Sequence, residues 1–131
     1  MINIQMIGID HSRASVEERE LFSFTKTKQK ELMEAVVRQQ GVDGCVLLST
    51  CNRMELYVSL DEKAETDLYR IICHCKQISG EEEKRLRELF TVRNGEEAVR
   101  HLFLLTAGLK SKIIGEDQIL TQVGDALEFA R

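Results

Sequence analysis

A chain of 131 residues, 43% hydrophobic and 31% charged, is long enough to bury one core and too evenly mixed for a disordered or membrane-embedded polypeptide. Its net charge of -4 at pH 7, with Lys and Arg scattered along it, excludes a stand-alone nucleic-acid binder, so an RNA partner is expected to be recognised at its end or held by something else. No apolar run spans a bilayer and the opening Met1-Ile2-Asn3-Ile4-Gln5 has no secretion-signal character, so the expected location is cytoplasmic and the four cysteines are expected as thiols.

Ile4, Met6, Ile7 and Ile9 predict a first strand over 2–9, ending in Gly8-Ile9-Asp10-His11, and a loop carries His11 onward. Thr25 or Thr27 is the expected cap of a helix through Gln40, with Leu32, Ala35 and Val36 on one face and Gly41 as its stop. Cys45-Val46-Leu47-Leu48 reads as a short buried strand, and the alternation from Met54 to Leu60 as a half-exposed one. The tight connection between them, Ser49 to Arg53, puts Cys51 at a strand end.

Leu68, Ile71, Ile72 and Cys75 give Ala64 to Gln77 a helical spacing; Glu81 to Leu86 adds a helical turn, and Leu89 to Val92 predicts a strand. Asn94 and Glu97 are spaced as a capping box, opening a helix through Thr106 that Gly108 closes, with His101 in its middle. A last helix is expected from about Gly115-Glu116-Asp117, carrying Ile119, Leu120, Val123 and Leu127 on one side. This order predicts an α+β fold, a ferredoxin-like βαββαβ sandwich with an additional C-terminal helix.

Among the reactive side chains, Cys51 has a cation, Arg53, two residues away, which favours the nucleophilic thiolate. Spacing alone favours the plainer alternative, an inert half-buried thiol. Likewise His101 reads by itself as a satisfied helix-face histidine, and Glu116 with Asp117 as acids favouring a helix dipole. Cys73-His74-Cys75 is expected to be buried or incidental rather than a metal or haem contact, because residues two apart on a helix point to nearly opposite sides. No metal site is expected.

Four segments, in order, change the balance: Gly8-Ile9-Asp10-His11; Ser49-Thr50-Cys51-Asn52-Arg53-Met54-Glu55-Leu56-Tyr57; Glu96-Glu97-Ala98-Val99-Arg100-His101-Leu102-Phe103; and Gly108-Leu109-Lys110-Ser111 running into Gly115-Glu116-Asp117-Gln118-Ile119-Leu120. Together they resemble glutamyl-tRNA reductases over nearly the whole chain. The resemblance implies that residues 1–131 are the N-terminal catalytic, thioester-forming domain, with the NADPH-binding and dimerisation domains outside this chain. It implies Cys51 as the nucleophile that takes glutamate from glutamyl-tRNA as a thioester, which NADPH reduces to glutamate-1-semialdehyde, the first step of tetrapyrrole (porphyrin, haem) synthesis. His101 matches a histidine important for activity, and Thr50, Asn52, Arg53, Ser111, Glu116, Asp117, Gln118 and Gln122 would form the substrate pocket. The implied partners are glutamyl-tRNA, a second copy of the full-length protein, and the aminomutase that consumes the product.

Two departures stand out. The family pattern Asn-His-Lys-Thr-Ala-Pro-Val appears as Asp10-His11-Ser12-Arg13-Ala14-Ser15-Val16, and Gly-Glu-Pro-Gln as Gly115-Glu116-Asp117-Gln118. The second adds a negative charge beside an expected carboxylate-binding pocket. No glycine-rich nucleotide fingerprint occurs, so NADPH is expected to be bound by a downstream domain. The rival readings are a diverged non-reducing module that binds aminoacyl-tRNA ends or a pathway partner, and a thiol hydrolase or acyl carrier for another ester.

Overall fold

Strand β1, Ile2–Asp10, lies inside a four-stranded antiparallel sheet of order β2-β3-β1-β4, in which β2 is Val42–Ser49, β3 is Arg53–Asp61 and β4 is Thr91–Asn94. The computed structural model describes residues 2–50, 52–61, 64 and 66–111, with the backbone alone at 2, 103 and 105–111. Period-2 alternation sorts the side chains of the two central strands between the sheet's faces. Ile7 and Ile9 of β1, with Met54, Leu56, Val58 and Leu60 of β3, point into the main core. Met6 and Tyr57 point the other way, against Ala98.

The main core lies between the sheet and helices α2, Lys26–Val37, and α3, Leu68–Cys75, which contribute Leu32, Met33, Val36, Leu68, Tyr69, Ile72 and Cys73. Each large apolar side chain fully buried here contributes about 1.5–3 kcal/mol. Helix α5, Glu96–Ser111, begins to cover the opposite face through Ala98 and half-buried Leu102. The expected ferredoxin-like order is therefore present, and the additional helix explains one correction. Strand β3 is buried on both faces rather than half-exposed, because α5 covers the face that would otherwise be wet.

Local chemistry accounts for the other differences. The expected loop after β1 contains a short helix, α1, Val16–Glu20, opened by a capping box in which Ser15 and Glu18 each bond the other's backbone N–H. Thr25, not Thr27, caps α2, which stops at Val37 before Gln40. Between α3 and β4 lie α4, Gly80–Leu86, and a 3-10 turn, Arg87–Leu89, so β4 starts two residues later than expected. Phe90 between them packs edge-on against Phe22 and Tyr69, at centroid distances of 4.8 and 5.0 Å. Asn94 is not a cap: it ends β4, Gly95 turns the chain at φ +56°, and α5 continues through Gly108 to Ser111. The last expected helix lies outside the described residues.

Gly8 sits between Glu55 of β3 and Thr91 of β4. A Cβ there would lie 2.8 Å from Glu55 Cγ and 2.9 Å from the Met54 carbonyl oxygen, and a ladder carbonyl cannot withdraw. Gly8→Ala is expected to destabilise the fold by about 1–3 kcal/mol, the usual cost of overpacking. Urea unfolding followed by circular dichroism tests this; an unchanged midpoint would show that the sheet absorbs the methyl group freely.

Candidate functional site

Between β2 and β3 the chain reverses in a turn closed mainly by one side chain. Thr50 Oγ1 accepts from the backbone N–H groups of Asn52 and Arg53, at 3.1 and 3.2 Å, while the Thr50 N–H donates to the Arg53 carbonyl at 2.8 Å. A short hydroxyl side chain that bonds the backbone two and three residues on is what such a reversal needs. The His11 N–H in turn donates to the Asn52 carbonyl at 3.2 Å, tying the loop after β1 to this turn.

From the turn, β3 sends Arg53, Glu55 and Tyr57 to the same side, two residues apart. Glu55 is only 2% exposed. Its Oε1 accepts from the Tyr57 hydroxyl at 3.0 Å and its Oε2 makes a 2.7 Å hydrogen bond with His101 Nε2. Arg53 NH1 lies 3.5 Å from Glu55 Oε2 and 3.9 Å from Oδ2 of Asp10, its partner in the β1–β3 register. A carboxylate buried this deeply is tolerated only with donors and positive charge around it.

The neighbours respond as that charge requires. Burial and the Glu55 charge push the Tyr57 phenol pKa far up, so its hydroxyl stays a donor. Burial works against ionisation of Asp10, but hydrogen bonds from the Ser12 side chain and backbone, with the charges of Arg53 and His11, hold its pKa below the usual 3.8.

Beside the turn, on the main-core side of the sheet, lies a cleft of about 220 Å³. Its walls are Ile9, Val16, Arg19, Glu20, Phe22, Ser23, Ser49, Thr50, Arg53 and Met54. Arg19 and Glu20 bring opposite charges to these walls beside three hydroxyl-bearing residues, and Arg53 touches the cleft while its NH1 turns toward Asp10 and Glu55. Arg19 NH1 donates to the Ala14 carbonyl at 2.8 Å, which fixes that wall.

Of the residues expected from sequence, Thr50, Asn52 and Arg53 share one turn, and His101 reaches Arg53 through Glu55. Cys51, Glu116, Asp117, Gln118 and Gln122 lie outside the described residues, and Ser111 is described only as the last residue of α5. Sequence reading missed Glu55 and Tyr57 and saw in Asp10 only a departure. The spacing Arg53-x-Glu55-x-Tyr57 was the available signal, but it passed for a solvated strand face. The other cysteines sit in surroundings that disfavour a thiolate: burial raises the Cys45 thiol to about 11 and pushes Cys73 and Cys75 upward as well. Cys73 is fully buried while His74 is exposed, so those neighbours diverge.

Comparison with known proteins agrees with this architecture. The family described as "Glutamyl-tRNAGlu reductase, N-terminal domain" matches residues 7–131. The chain is 39% identical over 130 residues to the glutamyl-tRNA reductase of Acetivibrio thermocellus, covering 99% of itself and 38% of that protein. It is 38% identical over 132 residues to the "Probable multifunctional siroheme biosynthesis protein HemA" of Ruminiclostridium josui, covering all of itself and 25% of that protein. The solved glutamyl-tRNA reductase from Methanopyrus kandleri superposes with a TM-score of 0.66 at 35% identity, over 97% of this chain and 28% of that one. The chain thus spans well under half the length of these relatives. No helix among the described residues is long and apolar enough to cross a membrane.

The Asp10 carboxylate carries a pH signature. Its folded pKa lies below its unfolded 3.8, so its stabilisation is complete well above pH 3.8 and is lost as pH falls through the lower folded value. Asp10→Asn is expected to cost about 0.5–1 kcal/mol at pH 7, in line with a partly exposed ion pair. The difference from wild type should shrink as pH falls through the carboxylate's lowered pKa in parallel urea titrations; a difference unchanged by acid would assign the effect to something other than the charge.

Proposed function

Since the chain belongs to the family of glutamyl-tRNA reductase N-terminal domains, we propose that it supplies the nucleophile and the glutamyl pocket for NADPH-dependent reduction of glutamyl-tRNA to glutamate-1-semialdehyde, which opens tetrapyrrole synthesis in the cytoplasm. The observation that carries this reading is the Thr50-fastened turn, which sets Arg53 at the first position of β3 beside the cleft and flanks the position of Cys51 in the sequence.

In this reading the Cys51 thiolate attacks the ester carbonyl of glutamyl-tRNA. A carbon–sulfur bond forms, the carbon–oxygen bond to the ribose breaks, and the departing ribose oxygen takes up a proton. His101 is the proton-handling group. Arg53 has NH1 turned toward Asp10 and Glu55, and the rest of its guanidinium grips the substrate carboxylate. Thr50, Asn52, Ser111, Gln118 and Gln122 complete the pocket, Glu116 meets the α-ammonium, and Asp117 adds a charge beside it.

NADPH, held by a domain that follows this one in the natural protein, supplies the hydride that turns the thioester into the aldehyde. The described residues themselves do not fit a dinucleotide: Gly41, Gly80 and Gly95 stand singly, and none begins a glycine-rich loop between a strand and a helix of the kind that cradles pyrophosphate. Glutamyl-tRNA, a second copy of the protein and the aminomutase that takes the product are the partners in this reading.

Glutamyl-tRNA is expected to acylate Cys51 and none of Cys45, Cys73 and Cys75, with slow release of glutamate when no hydride donor is present. Acid quench, proteolysis and mass mapping locate the adduct. Cys51→Ser should abolish it while serine at the other three leaves it, and an adduct elsewhere would sink the mechanism. No adduct at all, in a protein of natural length, would favour the non-reducing binding module.

Arg53→Lys keeps the charge and loses the planar fork, so acylation should fall by about 10-fold or more, equivalent to about 1.4 kcal/mol. Near-normal acylation by this variant would remove Arg53 from the substrate.

A further inference from the structure

Glu55 meets three donors in space that Gly8 leaves clear. Its Oε1 is occupied by the Tyr57 hydroxyl at 3.0 Å, and its Oε2 lies 2.7 Å from His101 Nε2 and 3.5 Å from Arg53 NH1. A Cβ at Gly8 would come within 2.8 Å of Glu55 Cγ, so the glycine makes room for the carboxylate's stem. The carboxylate is 3% exposed and the imidazole 21%, so the ring reaches outward from a buried anchor.

An imidazole whose Nε2 donates to a carboxylate is held in one tautomer, with Nδ1 left as the acceptor. A guanidinium fixed at NH1 likewise keeps its other edge for a ligand. We propose that Glu55 is the positioning residue of the acyl-transfer site: it orients His101 with Nδ1 available to the proton in flight and anchors Arg53 toward the substrate. This deepens the proposed function and rests on it. A carboxylate that served the fold alone would need the same three donors, so the test must separate the two roles.

The first measurement is nitrogen-15 NMR of the imidazoles, with three histidines assigned by substitution. In wild type the ring proton on Nε2 of His101 should be downfield and protected from exchange, and in Glu55→Leu it should be lost. A leucine fills the buried space but offers the ring no acceptor oxygen. Absence of a protected Nε2 proton in wild type, or its persistence in the variant, would overturn the orienting role.

The second measurement is the rate of Cys51 acylation at saturating glutamyl-tRNA in the protein of natural length. Glu55→Gln should slow it about 10–100-fold, the usual effect of removing a group that orients a functional histidine. His101→Gln should slow it too, and the double variant should be no slower than the slower single one, because the two act as a unit. Losses that multiply would reduce Glu55 to a structural role. If circular dichroism shows that Glu55→Gln does not fold, Tyr57→Phe frees only Oε1 and should lower the rate by a smaller factor, about 10-fold; an unchanged rate would overturn the proposal. A wild-type protein that never acylates would remove the function and the catalytic half of the proposal together, while the ring proton would still decide whether Glu55 holds His101.

Discussion

One buried negative charge organises the sheet face that α5 covers. A glutamate at 2% exposure in the middle of a β-sheet loses several kcal/mol of hydration, and its surroundings must return most of that. The returns come from near and far along the chain: Tyr57 and Arg53 from the same strand, the clearance at Gly8 from its neighbour, and His101 from a helix that begins some forty residues later. Removing any one leaves the others facing an incompletely compensated charge. The face is thus organised by polar satisfaction as much as by apolar burial, with Met6, Tyr57 and Ala98 forming a small seal around it.

The departures from the family pattern fit this electrostatic arrangement. Asp10 replaces an asparagine of the pattern and brings a second carboxylate to NH1 of Arg53, so the guanidinium is balanced by two anions. Ser15 replaces a proline and caps α1 with its hydroxyl, doing with a hydrogen bond what a ring would do by fixing the backbone. The neighbouring loop is therefore held by reversible polar contacts: Ser12 to Asp10, Ser15 to Glu18, and the His11 N–H to the Asn52 carbonyl.

How far the molecule was legible in its sequence follows from range. Strand periodicity and helix stripes are local, so the β-α-β-β-α-β order and the tight connection from Ser49 to Arg53 were readable from a few residues each, whereas the bonds by which Thr50 closes that connection were not. Glu55 was not, because whether the second face of β3 meets water depends on α5, far along the chain. Helix α1 was missed for another reason: the Ser15/Glu18 capping pair stands in the sequence, but no apolar stripe follows it, and none of the helix's residues is buried. Asn94 was misread because its spacing to Glu97 imitates a cap, while the ladder to Gln5 and the turn at Gly95 claim it for the strand.

The aromatic contact of Phe22 with Phe90 has a consequence for the order in which the protein assembles. Phe22 forms part of the cleft wall beside the Thr50 turn, yet its edge-on partner belongs to the segment leading into β4, most of the described chain later. Closing so long a loop is entropically expensive and comes late on a folding route governed by contact order. A nascent chain emerging from the ribosome can therefore pair β2 with β3 and fasten the Thr50 turn well before the wall beside it stands, and the cleft matures only when the last strand arrives.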